Sequence, residues 1–314
     1  DIESDLKVSN EIDFDVSHSL GGLSNVWGAT VSGLSKNDLE SYQYNSDISK
    51  QFEIITKTFP ISGCKDSIDS GTLYNIYYNE TSLNYCSQAE EIIKLYNKNE
   101  KYFKKNEFRL GFAKLAIKTT NEFNDNSCEN SGLEMYGCHK NSIFNAFFYL
   151  KKIKDDISLI ENTIVDEIIY NTKSIKILGK DKDKKKVKLQ FDKVIIAAGT
   201  INTSKLILKL LNDYDKSSLI IKDSQKYFFI YFTLFKSKKN EEKNIVGLSQ
   251  IFMQTEIKKH TFQLQLYHSS LLLRDGMNNF IPKLCTKFLL KFFNFIFRCI
   301  MIGVVYLPEE ISHH

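Results

Sequence analysis

The chain has 314 residues, of which 42% are hydrophobic and 13% are aromatic, and it carries a formal net charge of +4. This apolar fraction is enough for a real core in one large domain or in two. The charge is spread along the chain, and its densest run, Lys182–Lys188, is interrupted by aspartate and lies between strand-like segments, which indicates a solvated hairpin tip and argues against a nucleic-acid patch.

Glycine and polar residues are combined in Gly21–Ala29, GGLSNVWGA. The two glycines allow backbone angles that other residues resist, and Ser24 and Asn25 supply a hydroxyl and an amide that can bind a polar ligand group such as a phosphate. The alternative is an ordinary glycine turn in which Trp27 is a core anchor. The sequence by itself leaves these two interpretations equal.

The polar middle of the chain contains one clear helical pattern. Ala89–Lys104 places apolar residues at helical intervals and predicts an amphipathic helix, which core packing explains fully. Arg109–Ile117 is typical of a strand with mixed burial, and Asn121–Gly132 is a loop by composition. A second helix is predicted to begin at Ser142.

The six cysteines are scattered, and the start of the chain has no secretory signal. We therefore predict reduced thiols and a cytoplasmic protein. Cys128 and Cys138 are followed by His139, but two thiols and one imidazole without a fourth ligand nearby make a poor closed site, so we predict no metal. The cysteines are Cys64, Cys86, Cys128, Cys138, Cys285 and Cys299.

The residues between 157 and 191 show the patterns of β-strands. Ile157–Ile160 and Thr163–Tyr170 are candidate strands, and Ser174–Leu178 is expected to pair with Val187–Phe191 as an antiparallel hairpin across the turn at Gly179–Lys186.

The hairpin leads directly into Lys193–Leu208, KVIIAAGTINTSKLIL. Val194–Ile196 is a β-branched run without polar alternation, which predicts a strand covered on both faces in a parallel sheet. Ala197–Gly199 then removes side-chain bulk at the carboxyl end of this strand, where open α/β sheets bind ligands. Thr203 is a good N-cap for the helix that follows. The alternative is a strand, turn and helix whose small residues serve packing only.

Beyond Leu211 the pattern changes to long, aromatic-rich strands at Tyr227–Phe235, Ile245–Ile257 and Thr261–Leu273. Apolar and polar residues alternate between residues 262 and 267, as expected for an antiparallel sheet with one half-exposed face. Such a sheet suits a cap or substrate domain.

Leu284–Leu307 is the most hydrophobic stretch, but Lys287, Lys291 and Arg298 divide it, so its uncharged runs are far shorter than the roughly 20 residues of a spanning helix. We predict an amphipathic helix followed by a strand, packed within the cap domain. The alternative is a helix that lies on a membrane surface.

Three stretches together resemble the glucose-methanol-choline (GMC) oxidoreductases, which are FAD-dependent enzymes that act on alcohols. VIIAAGTINTSKLIL is similar to their late strand, turn and helix, GGLSNVWGA to their flavin-contacting loop, and CENSGLEMYGCHKNSIFNA to a segment of the bacterial, glycan-associated members. The resemblance implies an α/β fold, with an incomplete doubly wound FAD-binding sheet, a β-meander and an antiparallel cap sheet. It implies an FAD-binding domain at 1–38 and 140–215 and a substrate domain at 39–139 and 216–314.

The resemblance also implies the residues that contact FAD. Trp27 and Gly28 are expected near the isoalloxazine, and Val165 is expected where the backbone meets the adenine, although a core valine is the simpler interpretation. The full set is Gly21, Gly22, Ser24, Asn25, Val26, Trp27, Gly28, Val165, Ala198, Gly199 and Thr203.

Two family elements have no counterpart in the sequence. There is no G-x-G-x-x-G turn before the glycine loop, and no H-P-x-G-T-like segment that would carry the catalytic histidine. We therefore expect truncation at both ends, assign no catalytic residue, and predict that this chain alone does not oxidise alcohols. A non-catalytic remnant or binding module of the same fold and a membrane-surface protein are the alternatives.

Overall fold

The computed structural model describes residues 17–35, 39–40, 48–74, 76–120, 126–211, 225–238, 241, 244–258, 260–269 and 295–308. The chain divides into two compact units. The smaller unit combines residues 1–25 with 146–222, and the larger unit combines residues 26–145 with 223–314.

Helices and strands are both present, as the α/β prediction requires. The α-helices with defined bounds are α1 (Ser49–Thr58), α2 (Ser87–Lys98), α3 (Glu100–Lys105), α4 (Ala146–Ile153) and α5 (Thr200–Leu210). The strands are β1 (Thr30–Val31), β2 (Phe108–Phe112), β3 (Lys114–Leu115), β4 (Thr163–Asn171), β5 (Ser174–Asp181), β6 (Lys186–Phe191), β7 (Lys226–Phe232), β8 (Ser249–Ile257), β9 (His260–His268) and β10 (Ile300–Tyr306). Short 3-10 helices lie at Gly22–Asn25, Ile68–Gly71, Glu134–Tyr136 and Lys154–Asp156.

The smaller unit contains an antiparallel meander in the order β4, β5, β6. Ile168 lies opposite Ile177, which in turn lies opposite Leu189, so the apolar residues of the three strands share a row. The predicted hairpin is confirmed, and its strands run further than expected. Helix α5 packs on β4, where the buried side chains of Ile168 and Leu206 lie and where Lys209 Nζ donates to the carbonyl oxygen of Asp166 at 3.1 Å.

The buried parallel strand predicted at Val194–Ile196 is wrong. Residues 193–197 have no strand assignment, and the side chain of Ile195 is 93% exposed. A β-branched run forms a central strand only when neighbouring strands hydrogen-bond to it, and the described strands of this unit pair only with one another. Ile157–Ile160 likewise forms no strand, although its sequence favours one.

Two predicted helices begin or end at other residues than expected. The helix after Ser142 begins only at Ala146. The helix predicted for Ala89–Lys104 is divided at Asn99 into α2 and α3. The start of α2 is capped by a distant carboxylate, because the backbone N–H of Ser87 donates to Glu241 Oε1 at 2.6 Å.

The larger unit is organised around a five-stranded antiparallel sheet in the order β2, β8, β9, β10, β7. The predicted antiparallel sheet beyond Leu211 is thereby confirmed. On the predicted half-exposed face of β9, Gln263 and Tyr267 are partly exposed, whereas Gln265 is buried. Thr30 of β1 covers it and donates from Oγ1 to Gln265 Oε1 at 3.2 Å.

The core of the larger unit lies around this sheet. Its buried residues include Ile93 and Tyr96 of α2, Leu110 of β2, Ile251 of β8 and Met301 of β10. Burial of these apolar side chains is the main force that holds the unit together.

No helix among the described residues is both long enough and apolar enough to cross a membrane. Residues 295–297 are helical and are followed by β10, so the strand predicted at the end of Leu284–Leu307 is confirmed. The helix predicted before it falls mainly on residues 284–294, which lie outside the described residues.

Candidate functional site

The glycine stretch is divided between the two units. Its first part, Gly21–Asn25, lies in the smaller unit and forms a tight turn in which Gly21 and Gly22 have φ of 93° and 56°. Ser24 Oγ donates to the carbonyl oxygen of Gly21 at 2.5 Å and accepts the N–H of Ala146 at 3.0 Å. These bonds fix the turn to the start of α4.

The side chain of Asn25 completes the turn. Its Nδ2 donates to Ser19 Oγ, to the carbonyl oxygen of Leu20 and to the carbonyl oxygen of Gly22, each at 3.0 Å. The polar groups of Ser24 and Asn25 therefore stabilise the turn itself, a use that the sequence pattern did not reveal.

The second part of the stretch lies in the larger unit. Trp27 is partly buried against the core, and its Nε1 donates to the carbonyl oxygen of Phe144 at 2.8 Å. Val26 is 80% exposed and Gly28 is exposed, whereas Ala29 is fully buried with φ of +59°. Trp27 is thus an anchor of the loop, and Val26 and Gly28 remain accessible on either side of it.

Gly199 lies at an open point of the smaller unit. Its φ is +79°, and a Cβ placed on it would have no heavy atom within 4 Å. It caps α5, which has no side-chain hydrogen bond at its N-cap. The first N–H groups of a helix have no partner inside the helix, and together with the helix dipole they favour an anionic or carbonyl oxygen.

The predicted N-cap role of Thr203 is wrong, because α5 begins at Thr200. Thr203 lies within the helix, and its Oγ1 accepts the N–H of Ala198 at 3.2 Å. The hydroxyl thus holds the Ala198–Gly199 turn from inside the first turns of the helix. Ala198, Gly199 and Thr203 lie together, as expected from the sequence. Gly199 is the N-cap of the helix, and Thr203 binds the turn before it.

Val165 lies on β4, opposite Gly179 of β5 and next to a β-bulge. Its side chain is 36% exposed, so it is not a core valine. Its expected contact with an adenine ring stays a prediction.

The cysteine-containing segment lies in the larger unit and is built around Glu134. This buried carboxylate accepts the N–H and Oγ of Ser131 and the N–H of Gly247, the last at 2.6 Å. Cys128 Sγ lies 3.7 Å from Glu134 Oε1, and burial raises the pKa of this thiol to about 12. Among the described residues no group of three or more candidate ligands could hold a metal ion.

One family model matches part of the chain. Residues 71–209 match the family model described as GMC oxidoreductase. Over these residues the chain is similar to the GMC oxidoreductases. The matched range includes Val165, Ala198, Gly199 and Thr203, and it ends within α5. A search of curated proteins finds no match to the chain.

The matched model corresponds to the FAD-binding N-terminal domain of GMC oxidoreductases, which supports FAD as the cofactor and, in general terms, the function of an FAD-dependent oxidoreductase. The mixture of helices and antiparallel sheets agrees with the α/β fold of that GMC domain. GMC enzymes act in general on small-molecule alcohols or sugars.

The open backbone at Gly199 fits such a cofactor. A side chain there would fill space that is empty, and the helix N-terminus beside it suits an oxygen-rich or anionic group. The bound FAD supplies the hydride acceptor. Among the described residues we assign none as the proton acceptor.

Proposed function

We propose that this chain binds FAD through the smaller unit and contributes to the oxidation of a CH–OH group on an alcohol or sugar, with a role in polysaccharide synthesis as the finer expectation. The observation that carries the proposal is the open, left-handed Gly199 at the start of α5, inside the segment that matches the GMC model. The predicted division at residues 38, 139 and 215 into FAD-binding and substrate domains is part of the same proposal.

The remaining FAD contacts are proposed on the same basis. Gly21 and Gly22 adopt positive φ angles, and because glycine has no Cβ, a ligand can approach their backbone closely. Gly28 presents an exposed backbone next to Trp27. Val165 offers an exposed apolar side chain of the kind that can pack on a ring. The side chains of Ser24 and Asn25 act on the shape of the turn.

The test replaces Gly199 by valine, because valine resists a positive φ and fills the open space. We expect Gly199→Val to lower the amount of FAD retained while the far-ultraviolet circular dichroism keeps its helical signal. Gly137→Val is the matched control, since Gly137 also has a positive φ, of +126°, and no heavy atom within 4 Å of its Cβ position, but lies in the larger unit. Equal FAD retention in both variants would refute the proposed contact.

Substrate class is tested separately. The chain is loaded with FAD under anaerobic conditions and exposed to a panel of sugars and primary alcohols, and bleaching of the flavin absorption is followed. We expect FAD to bind without substrate-dependent bleaching, because we assign none of the residues that the structure describes as the base that takes the hydroxyl proton. Bleaching above a heat-killed control would show that the chain is active alone.

A cytoplasmic location and a peripheral membrane contact through residues 284–307 belong to the proposal as well. The support for the contact is the pattern of basic residues on one side and phenylalanines on the other. Co-sedimentation with anionic liposomes tests it, and sedimentation that is unchanged by added liposomes would exclude the contact.

A further inference from the structure

Strand β7 lies at one edge of the five-stranded sheet of the larger unit. It is the last strand in the order that the described residues define, and within that sheet its partner is β10. In an antiparallel pair only alternate residues of a strand direct their N–H and C=O groups to the neighbouring strand, so β7 directs the other groups outward. The opposite edge strand, β2, packs against α2 and α3.

The side chains of this edge are apolar and exposed on both faces of the sheet. Val304 of β10 is buried, whereas Phe228 directly opposite it is 73% exposed. Ile300 is also buried, and Phe232 opposite it is 67% exposed. The exposed apolar side chains of β7 are Tyr227, Phe228, Ile230, Tyr231 and Phe232.

The usual protections of an edge strand are weak in β7. Proteins block strand edges with charged residues, prolines, bulges or a covering element. The sequence of β7, KYFFIYF, contains one charge, at Lys226, and no proline. Its pairing with β10 runs without a bulge from Lys226 to Phe232. This edge can therefore accept a further strand.

The edge is also held in place by the core. The N–H of Thr233, just after β7, donates to the carbonyl oxygen of Cys299 at 2.7 Å, and Thr233 Oγ1 accepts Nε2 of the buried Gln88 at 2.8 Å. Phe229 packs against the core, with its ring over Gly303 of β10. A strand fixed in this way loses little conformational freedom when it associates.

We propose that β7 is the interface of a homodimer, in which β7 of a second copy pairs with it in antiparallel orientation about a twofold axis at Phe229. In this register Phe228 lies opposite Ile230 of the second copy, and Tyr227 lies opposite Tyr231. Lys226 lies opposite Phe232, so apolar side chains meet and no like charges do. Because both copies use the same edge, the assembly closes at two chains.

The exposed area of the edge suits such a dimer. An aromatic side chain presents about 150–250 Å² when fully exposed, so the exposed fractions on β7, with the almost fully exposed Leu234 that follows it, correspond to roughly 700 Å² per copy. Burial in both copies would cover roughly 1,400 Å², which lies in the range of about 1,200–2,000 Å² that stable, specific interfaces bury. The pairing involves the larger unit alone and does not depend on FAD.

Sedimentation velocity of the full chain over a wide range of concentrations tests the proposal. We expect an equilibrium between one chain and two, with no larger species. Phe228→Lys should raise the dissociation constant of the dimer about tenfold or more, because the two introduced charges would lie diagonally across the axis. Tyr102→Lys is the matched control, since Tyr102 is an equally exposed aromatic residue on α3, and it should leave the dissociation constant unchanged.

A mixture of two variants tests the register. Ile230→Glu alone should weaken the dimer as Phe228→Lys does, because it also places like charges across the axis. The two variants mixed should recover dimer, since in the proposed register their opposite charges face each other. A mixture that stays monomeric would overturn the pairing.

Three other results would overturn the proposal. They are a wild type that stays monomeric at every concentration, a dissociation constant that is equal in Phe228→Lys and Tyr102→Lys, and an assembly that grows beyond two chains. A monomer that sediments with liposomes and loses this property in Phe228→Lys would assign β7 to a membrane surface instead. If circular dichroism shows that Phe228→Lys does not fold, Ile230→Glu replaces it in the comparison with Tyr102→Lys.

Discussion

Lys114 gives the sharpest test of the forces in the larger unit. Its side chain is 3% exposed, and its Nζ forms an ion pair with Asp66 and donates to the carbonyl oxygen of Phe112 at 3.1 Å. Lys114→Met keeps the length of the side chain and removes the charge. Asp66, whose side chain is 20% exposed, would keep two backbone donors, the N–H of Phe112 at 3.1 Å and the N–H of Ile68 at 3.0 Å.

Breaking a buried pair from one side costs about 3–5 kcal/mol, and since Asp66 keeps these two donors we expect about 3 kcal/mol at neutral pH. The matched control is Lys104→Met, which breaks a surface pair with Glu100 whose side chains are both 39% exposed. That pair follows i,i+4 spacing, so its loss should cost only about 0.3–0.5 kcal/mol. Urea unfolding followed by Trp27 fluorescence measures both variants.

The loss of stability in Lys114→Met should depend on pH in a definite direction. Burial raises the pKa of Asp66, and Lys114 is the largest influence that lowers it. A raised pKa in the folded state means that the stability from this group is present below the unfolded pKa and is lost as the pH rises through the folded pKa. Without Lys114 the pKa rises further, so the deficit of Lys114→Met should shrink as the pH falls.

The double variant Asp66→Asn with Lys114→Met removes both charges and should recover part of the loss, which gives the coupling between the two residues. A loss in Lys114→Met no larger than in Lys104→Met would refute the buried-pair argument. A loss of unfolding free energy in Lys114→Met that stays constant between neutral and acidic pH would also refute the argument.

Two further predictions concern packing and thiol reactivity. Gly303→Ala should destabilise the protein by about 1–3 kcal/mol in urea unfolding, because a Cβ there would collide with the ring of Phe229 on the paired strand, whereas Gly28→Ala should be close to neutral. Cys128 should resist iodoacetamide at neutral pH under conditions that alkylate the exposed Cys64, because a pKa of about 12 leaves almost no thiolate; peptide mapping with equal labelling of both would contradict this.

The parts of the fold that could be predicted from the sequence are those in which apolar and polar residues alternate over a few positions. The hairpin of β5 and β6 and the antiparallel sheet beyond Leu211 have side chains whose period of two appears within a few residues, and both formed as expected. Their register needs only a turn and a patterned face.

The predictions that failed depend on contacts between residues that lie far apart in the sequence or that no local pattern specifies. Gln265 was expected on a half-exposed face, but Thr30, 235 residues earlier, covers it. No local pattern contains that contact. The site stretches were found by resemblance, while their internal hydrogen bonds, such as those of Ser24 and Asn25, came only from the structure.

The run Val194–Ile196, in which Ile195 is exposed and its two neighbours are half-buried, shows how this limit bears on the cofactor. The buried apolar residues of the smaller unit, among those the structure describes, are Ile168 and Leu206, so its hydrophobic stabilisation is small compared with that of the larger unit. A ligand that binds only the folded form stabilises it by RT ln(1 + [L]/Kd), about 2.7 kcal/mol at a hundredfold excess over Kd. If FAD binds at Gly199 as proposed, it would add stability of this order to the smaller unit, and its binding and the folding of that unit would be linked.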